Sequence, residues 1–319
     1  MRVSVVIPTC KRNNLLKRCL KSVAEQRFSR DEYEVIVADD GANPETRATI
    51  LYFALAYIFM KFKYVPVEGN HGPAAARNAG WKQAEADIIA FIDDDCVAEP
   101  DWLSAGMASF SPEIAAVSGV VKVPVSQKPR DYELCIARMQ ECRFLTANCF
   151  YRKSVLKETG GFDENFKTAW REDSDLYFTV LSRRLPVGLA EDSVVTHHVR
   201  NIPWGMGIKE EKKNLYNALL FKKHPWFFRK FIESSPPWFY YLTVSSALTG
   251  ILGLLFFPAL KGFILLWVFM SLMFAVKRLS RTSKSLSHVL EMVFTSFLIP
   301  FLSVFWRIAG ALRFGIIYF

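Results

Sequence analysis

The stretch IIAFIDDDC, Ile88 to Cys96, sets three carboxylates side by side at the end of an apolar run. Like charges in a row repel one another and gain nothing from a core. Asp93, Asp94 and Asp95 therefore belong where a buried strand emerges and meets a ligand, or, in the plainer reading, on a solvated turn with surplus acids. Hard carboxylate oxygens suit Mg2+ or Mn2+. Mg2+ usually takes one or two protein carboxylates and completes its shell with phosphate and water. One aspartate of the triplet can then hold a cation, which leaves the others for hydroxyl groups.

The elements that would position these acids are legible around them. Four short apolar runs, Val3 to Ile7, Tyr33 to Ala38, Tyr64 to Val67 and Ile88 to Ile92, are continuous rather than alternating, as expected of parallel strands covered on both faces. Between them lie helical segments: Asn13 to Glu25, with Leu15, Leu16, Cys19, Leu20 and Val23 on one stripe and Asn13 or Asn14 as cap; Pro44 to Phe62; and Pro73 to Ala84. Strand and helix alternate, which predicts an α/β fold with a mostly parallel central sheet. In such a sheet ligands bind beyond the carboxyl ends of the strands, and here those ends read PTCKR, ADDG, EGNHG and DDDC. The polar groups collect at one edge of the sheet. Within the second helix, LYFALAYIFM has too few apolar residues to span a bilayer and is expected to pack into a core or touch a membrane surface.

Further along, AAVSGVVKVPV reads as a strand, TANCFYRKSVLKETGGFDENF as a strand, a helix and a Gly-Gly turn, and REDSDLYFTVLSRR as an amphipathic helix opening on acids, which favour a helix N-terminus. After Trp238 the character changes. The 319 residues are 51% hydrophobic and 14% aromatic, and the tail holds a single acid, Glu291. Trp238 to Leu260 carries no charge and is long enough to span; Gly262 to Val276 can be extended by snorkelling Lys261 and Lys277; Met292 to Phe319 either spans, kinks at Pro300 or lies partly in the interface. The expected organisation is a catalytic domain over residues 1–205, amphipathic linker helices over 206–237, and a membrane segment of two to three transmembrane helices over 238–319. The formal charge of +9 gathers at KEEKKN, FKKHPWFFRKF and KRLSRTSK beside the apolar runs. That placement fits membrane lipid and argues against nucleic acid. The basic loop KRLSRTSK predicts a multi-pass protein of the inner (cytoplasmic) membrane with the N-terminal domain facing the cytoplasm. Six cysteines without a CxxC pair and an opening MRVSVVIPT without signal-peptide character suit the same side.

The order VSVVIPTCKRNNLLKRCLKSV, VIVADDGANPET, NHGPAAARNAGW, FIDDDC, then GGFDENF and REDSDL resembles the family 2 glycosyltransferases of the GT-A fold, over roughly Met1 to Arg200. The resemblance implies a nucleotide-diphosphate sugar donor and inverting transfer. It makes Thr9 and Asp39 base-recognition positions, with Asp39 accepting from a ring N–H, and places Arg12 and Arg77 among the nucleotide-sugar-binding residues. Asp93 and Asp94 would approach the ribose, Asp95 would bind the metal that bridges the diphosphate, and Asp173 would be the catalytic base. His197 falls at a position for a metal- or diphosphate-contacting histidine, with His198 an equally suitable chemical choice. Lys11 in place of a common Asn, and GANPET in the second turn, loosen the base-pocket assignment. Glu172 is either a partner in the chemistry or a helix-start acid.

Two other classes share parts of the pattern. A phosphatase with DxD at a strand end would use its first aspartate as nucleophile, but that motif belongs on the first strand. A membrane-attached scaffold could keep the fold without turnover, which intact Asp95 and Asp173 argue against. Between His198 and Trp238 there is no QxxRW, the motif of processive synthases, so the expected enzyme is non-processive and adds one sugar or a few. Expected partners are a UDP-sugar before other donors, a glycan or polyprenyl-linked acceptor, and membrane lipid.

Overall fold

The computed structural model describes residues 1–200 and 203–318. They form two compact units, one of residues 1–124 with 137–199 and one of 125–136 with 200–319.

The first unit is built on an eight-stranded sheet: β1 (Val3–Thr9), β2 (Tyr33–Asp39), β3 (Lys61–Pro66), β4 (Ile88–Phe91), β5 (Cys96–Ala98), β6 (Ala116–Lys122), β7 (Cys149–Arg152) and β8 (Val187–His197). Their order is β3-β2-β1-β4-β7-β6-β8-β5. The β1–β4 block is parallel throughout, and β6 runs parallel to β8. β7 and β5 are antiparallel to their neighbours. β1 and β2 are buried at every position, as continuous apolar strands covered on both faces should be.

The helices of this unit are α1 (Asn13–Ala24), α2 (Pro44–Ala56), α3 (Pro73–Lys82), α4 (Trp102–Ala108), α6 (Lys153–Thr159) and α7 (Glu172–Ser182), while α5 (Asp131–Ala137) belongs up to residue 136 to the second unit. α1 buries Leu16, Cys19, Leu20 and Val23, but neither asparagine caps it: Asn13 is inside the helix, and its side chain donates to Glu45 instead. α2 has Pro44 at its first position and the Asn43 side chain accepting from the Glu45 N–H, which satisfies one of the orphan donors of a helix start. α2 ends at Ala56, not Phe62, and β3 begins at Lys61. The shift has a physical cause. Lys63 reaches the buried Glu34 at 2.8 Å, and Glu34 also accepts from Ser4 and from the Glu85 N–H. The charge in KFKYVP is neutralised by a partner on the next strand.

The second unit adds α8 (Met206–Glu210), α9 (Leu215–Lys223), α10 (Pro225–Phe231), α11 (Trp238–Leu255), α12 (Phe263–Leu279) and α13 (Leu286–Phe314). Three helical segments are long and apolar enough to cross a membrane: Trp238–Leu255, Pro258–Leu279 and Leu286–Phe314. The third starts before Met292 and runs through Pro300 without a break; Phe319, the end of the expected span, lies outside the described residues. Its acid Glu291 is buried and accepts from the Gly205 N–H at 2.7 Å. Arg307 donates to both oxygens of Glu233 at 2.6 and 2.8 Å, and Arg278 is held by Asp131, Thr295 and Ser296. Paired in this way, Glu291, Arg307 and Arg278 turn their charges toward protein.

Candidate active site

Thr9 ends β1, Asp39 ends β2, and Asp93–Asp95 follow β4 after Ile92, so the polar groups stand together beyond the carboxyl edge of the parallel block. The Thr9 hydroxyl donates to Asp94 Oδ2 at 2.7 Å and Arg12 Nη1 donates to Asp94 Oδ1 at 3.3 Å. Burial pushes the Asp94 carboxyl up to about 6, against the pull of Thr9 and Arg12 and with the repulsion of Asp95 and Asp93. The Arg12 guanidinium is half-exposed and lies 3.8 Å from Asp95 Oδ2, so it can meet an anion and both acids at once.

β5 pairs with β8 so that Cys96 sits opposite His197. That register brings His197 Nε2 to 3.5 Å from Asp95 Oδ1. Of the two adjacent histidines, His197 is the one the structure joins to the aspartate triplet. Among the described residues, Asp95, Cys96 and His197 bring potential ligand atoms within 4.8 Å of one another. The Cys96 thiol is pushed well above its ordinary range by burial and by Asp93 and Asp95, so it stays protonated and is a poor ligand. A carboxylate oxygen and an imidazole nitrogen remain; the carboxylate suits Mg2+ or Mn2+, and the nitrogen donor is the better match to Mn2+ of the two. His197 Nδ1 is buried without a hydrogen-bond partner among the described residues.

Arg77, 3% exposed, stands beneath these residues. Its Nη2 donates to Asp93 at 2.7 Å and its Nη1 to Glu172 at 2.9 Å. Burial opposes its charge, but Asp93, Glu172 and Asp173 outweigh that and hold it firmly protonated. Glu172 moves the other way: burial raises its carboxyl, because one cation cannot offset desolvation plus two like charges. The guanidinium lies over the Phe162 ring at 5.7 Å. Phe162 is fixed by Asn78, whose amide bonds its carbonyl at 2.8 Å and its N–H at 3.0 Å. The NHGPAAARNAGW and GGFDENF stretches thus meet, and through Arg77 they draw the α7 acids to the β4 acids.

Asp173 lies in the first turn of α7, preceded by Arg171 in the left-handed region (φ 76). Its Oδ1 accepts from the Ser174 N–H at 2.6 Å and the Ser174 hydroxyl at 3.1 Å. Its Oδ2 makes no hydrogen bond among the described residues.

Three residues with expected roles toward the nucleotide are engaged inside the protein. Asp39 is fully buried and accepts from Gly41 N–H, Asn43 N–H and the Tyr64 hydroxyl at 2.9, 2.8 and 3.1 Å; it organises the turn after β2. Thr9 is bound to Asp94, and Arg77 to its two acids. The role of Glu172 as the second partner of Arg77 had no sequence signal beyond its place beside Asp173. Asn78 and Phe162 had none.

The match to known proteins covers this same ground. The model of glycosyl transferase family 2 matches residues 4–172, more than half of the chain. Glycosyltransferase AglE of Haloferax volcanii is 27% identical over 221 residues, covering 66% of this chain and 70% of its own length. Validoxylamine A glucosyltransferase of Streptomyces hygroscopicus subsp. limoneus is 27% identical over 257 residues, covering 68% of this chain and 53% of its own length. The mannosyltransferase PcManGT of Pyrobaculum calidifontis, solved with GDP-Man and Mn2+, superposes with a TM-score of 0.60 over 96% of this chain and 87% of its own, at 18% identity. The chain belongs to glycosyl transferase family 2.

Proposed function

We propose that this protein is an inverting, metal-dependent, non-processive glycosyltransferase that moves a sugar from a nucleotide-diphosphate sugar to an acceptor hydroxyl. The acceptor is a glycan or a polyprenyl-linked sugar at the cytoplasmic face of a membrane, in the synthesis of a cell-surface glycan or glycolipid. The observation that carries this reading is the convergence of Asp95 and His197, 3.5 Å apart, with the Glu172–Asp173 pair joined to Asp93 through Arg77.

Asp95 and His197 would hold Mg2+ or Mn2+. When bound, a divalent cation supplies Lewis-acid neutralisation of the charge that develops on a departing diphosphate. Arg12, half-exposed beside Asp94 and Asp95, gives the same phosphates a guanidinium to lean on. Asp93, with a quarter of its side chain exposed and one oxygen held by Arg77, can accept from a ribose hydroxyl; the buried Asp94 holds Thr9 and Arg12 in place. On the acceptor side, Ser174 fixes Asp173 Oδ1, and Oδ2 takes the proton of the attacking hydroxyl. Attack from the face opposite the leaving group inverts the anomeric centre and needs no covalent enzyme intermediate. The three apolar helices keep the reaction beside a lipid-linked acceptor, and the basic loop between the second and third supports a cytoplasmic orientation.

Release of nucleoside diphosphate from candidate donors by the detergent-solubilised chain, with and without Mn2+, tests the proposal. Mn2+-dependent release is expected for at least one donor, UDP-sugars before GDP-sugars. No release above background from any donor would leave a non-catalytic scaffold, and long homopolymer products would overturn the non-processive assignment.

A further inference from the structure

The face of α2 turned away from the sheet is apolar and uncovered. Ile50 and Phe53 pack inward, whereas Leu51, Tyr52, Leu55, Ile58 and Phe59 are exposed, Leu55 by 78% and Phe59 by 76%. From Ala48 to Met60 there is no charge. Single exposed apolar side chains are ordinary, but five large ones on one helix face and the turn that follows form a patch that water does not favour. An amphipathic helix normally turns a polar face outward; α2 has an apolar face on both sides, one for the sheet and one for something else.

Basic groups border the patch. Arg47 precedes it and Lys61 follows it, both exposed, and the Arg30 guanidinium lies 5.7 Å over the Tyr57 ring at its far end. Between α2 and the edge strand β3 runs a shallow groove of about 450 Å³ lined by Arg47, Ile50, Leu51, Ala54, Phe62 and Tyr64 among others. Its cation and apolar walls match the two ends of a phospholipid: Arg47 suits the phosphodiester, and the aliphatic and aromatic walls suit an acyl chain.

We propose that this face of α2 docks on the surface of an anionic bilayer, as a second membrane contact beyond the apolar C-terminal helices. The occupant is lipid rather than a second copy because the same chain carries three helices suited to a bilayer, which hold that surface at high effective concentration. Docking would hold the catalytic unit against the bilayer surface. This inference rests on the reading that those helices lie in a bilayer.

Photoreactive benzoylphenylalanine placed at Leu55, and at Glu25 as a solvent-facing control, tests it in the full chain reconstituted into phosphatidylglycerol–phosphatidylethanolamine vesicles. Flotation is measured first; a chain that does not float refutes both the membrane reading and this proposal. In floated protein, lipid adducts at position 55 but not 25, lost in phosphatidylcholine vesicles or on adding Arg47→Glu and Phe59→Glu with unchanged thermal melting, are the expected result. Flotation with adducts only to protein, whether a second copy or the chain's own helices, or with no adduct above the control, overturns the proposal and leaves the membrane reading standing.

Discussion

Replacing Arg77 by methionine should destabilise the catalytic unit strongly and in a pH-dependent way. Methionine keeps most of the aliphatic stem and its packing on Phe162 but removes the charge. In the wild type the guanidinium satisfies Asp93 and Glu172 at 2.7 and 2.9 Å while 3% exposed. Removing one partner of a buried ion pair costs about 3–5 kcal/mol, because the other charge is left uncompensated. Glu172 limits that loss by taking up a proton, which it is already disposed to do: burial raises it above its ordinary 4.5 even beside Arg77. The sign follows. A carboxyl raised in the folded state binds protons that the unfolded chain has released, so stability falls as pH rises above about 4.5. Without Arg77 the carboxyl is raised further, and the deficit of the variant relative to the wild type should widen with pH. At pH 8 the expected loss is about 3 kcal/mol, or roughly 6–12 °C for a unit of this size; at pH 5 it should shrink by ~1.4 kcal/mol at most, the worth of the one pH unit between about 7, where Glu172 stands in the wild type, and 8. Thermal unfolding followed by near-ultraviolet circular dichroism at both pH values gives the comparison, with Glu172→Gln combined with Arg77→Met as the cycle that isolates the pair. A deficit below about 1 kcal/mol at pH 8, or one equal at the two pH values, would refute the assignment of Arg77 as the group that neutralises these acids.

Three other outcomes are expected. Asp173→Asn should lower turnover by about 10²–10⁴-fold, the range for losing a general base, with donor affinity unchanged by calorimetry; a parallel loss of donor binding would place Asp173 in the nucleotide site instead. Asp94, raised by burial to about 6 from 3.8, should make the metal-free protein lose stability as pH rises from about 4 to about 6, by ~3 kcal/mol at most, and Asp94→Asn should flatten that slope; an identical slope in the variant would show that another group titrates. Gly80 faces β1 so closely that a Cβ would stand 2.5 Å from Val6 Cγ1, so Gly80→Ala should cost about 1–3 kcal/mol, and an unchanged melting temperature would mean α3 can shift off the sheet freely.

What could be read in the sequence was whatever depends on neighbours along the chain. β1, β2 and β4 are unbroken apolar runs, and the acids that follow β4 lie where a parallel sheet puts its ligands. What depends on register across the sheet could not be read. β5 is only Cys96–Ala98, too short to show a period, yet its pairing with β8 sets Cys96 against His197 and chooses that histidine over its neighbour. The start of β3 was missed for a similar reason: Lys63 is tolerable in a sheet only because Glu34 waits on β2. Thr9, Asp39 and Arg77, expected at the nucleotide, each also have an internal hydrogen-bond partner, Asp94, Tyr64 and Asp93, and those pairings depend on contacts far apart in the chain that the sequence does not show.

Binding of a nucleoside diphosphate, measured by calorimetry on the full chain with and without Mn2+, in wild type, Asp95→Asn and Asp173→Asn, addresses the shared site most directly. The account predicts binding that requires Mn2+ in wild type, is lost in Asp95→Asn, and persists in Asp173→Asn while sugar transfer stops. Nucleotide binding that ignores Mn2+ and survives Asp95→Asn would contradict it.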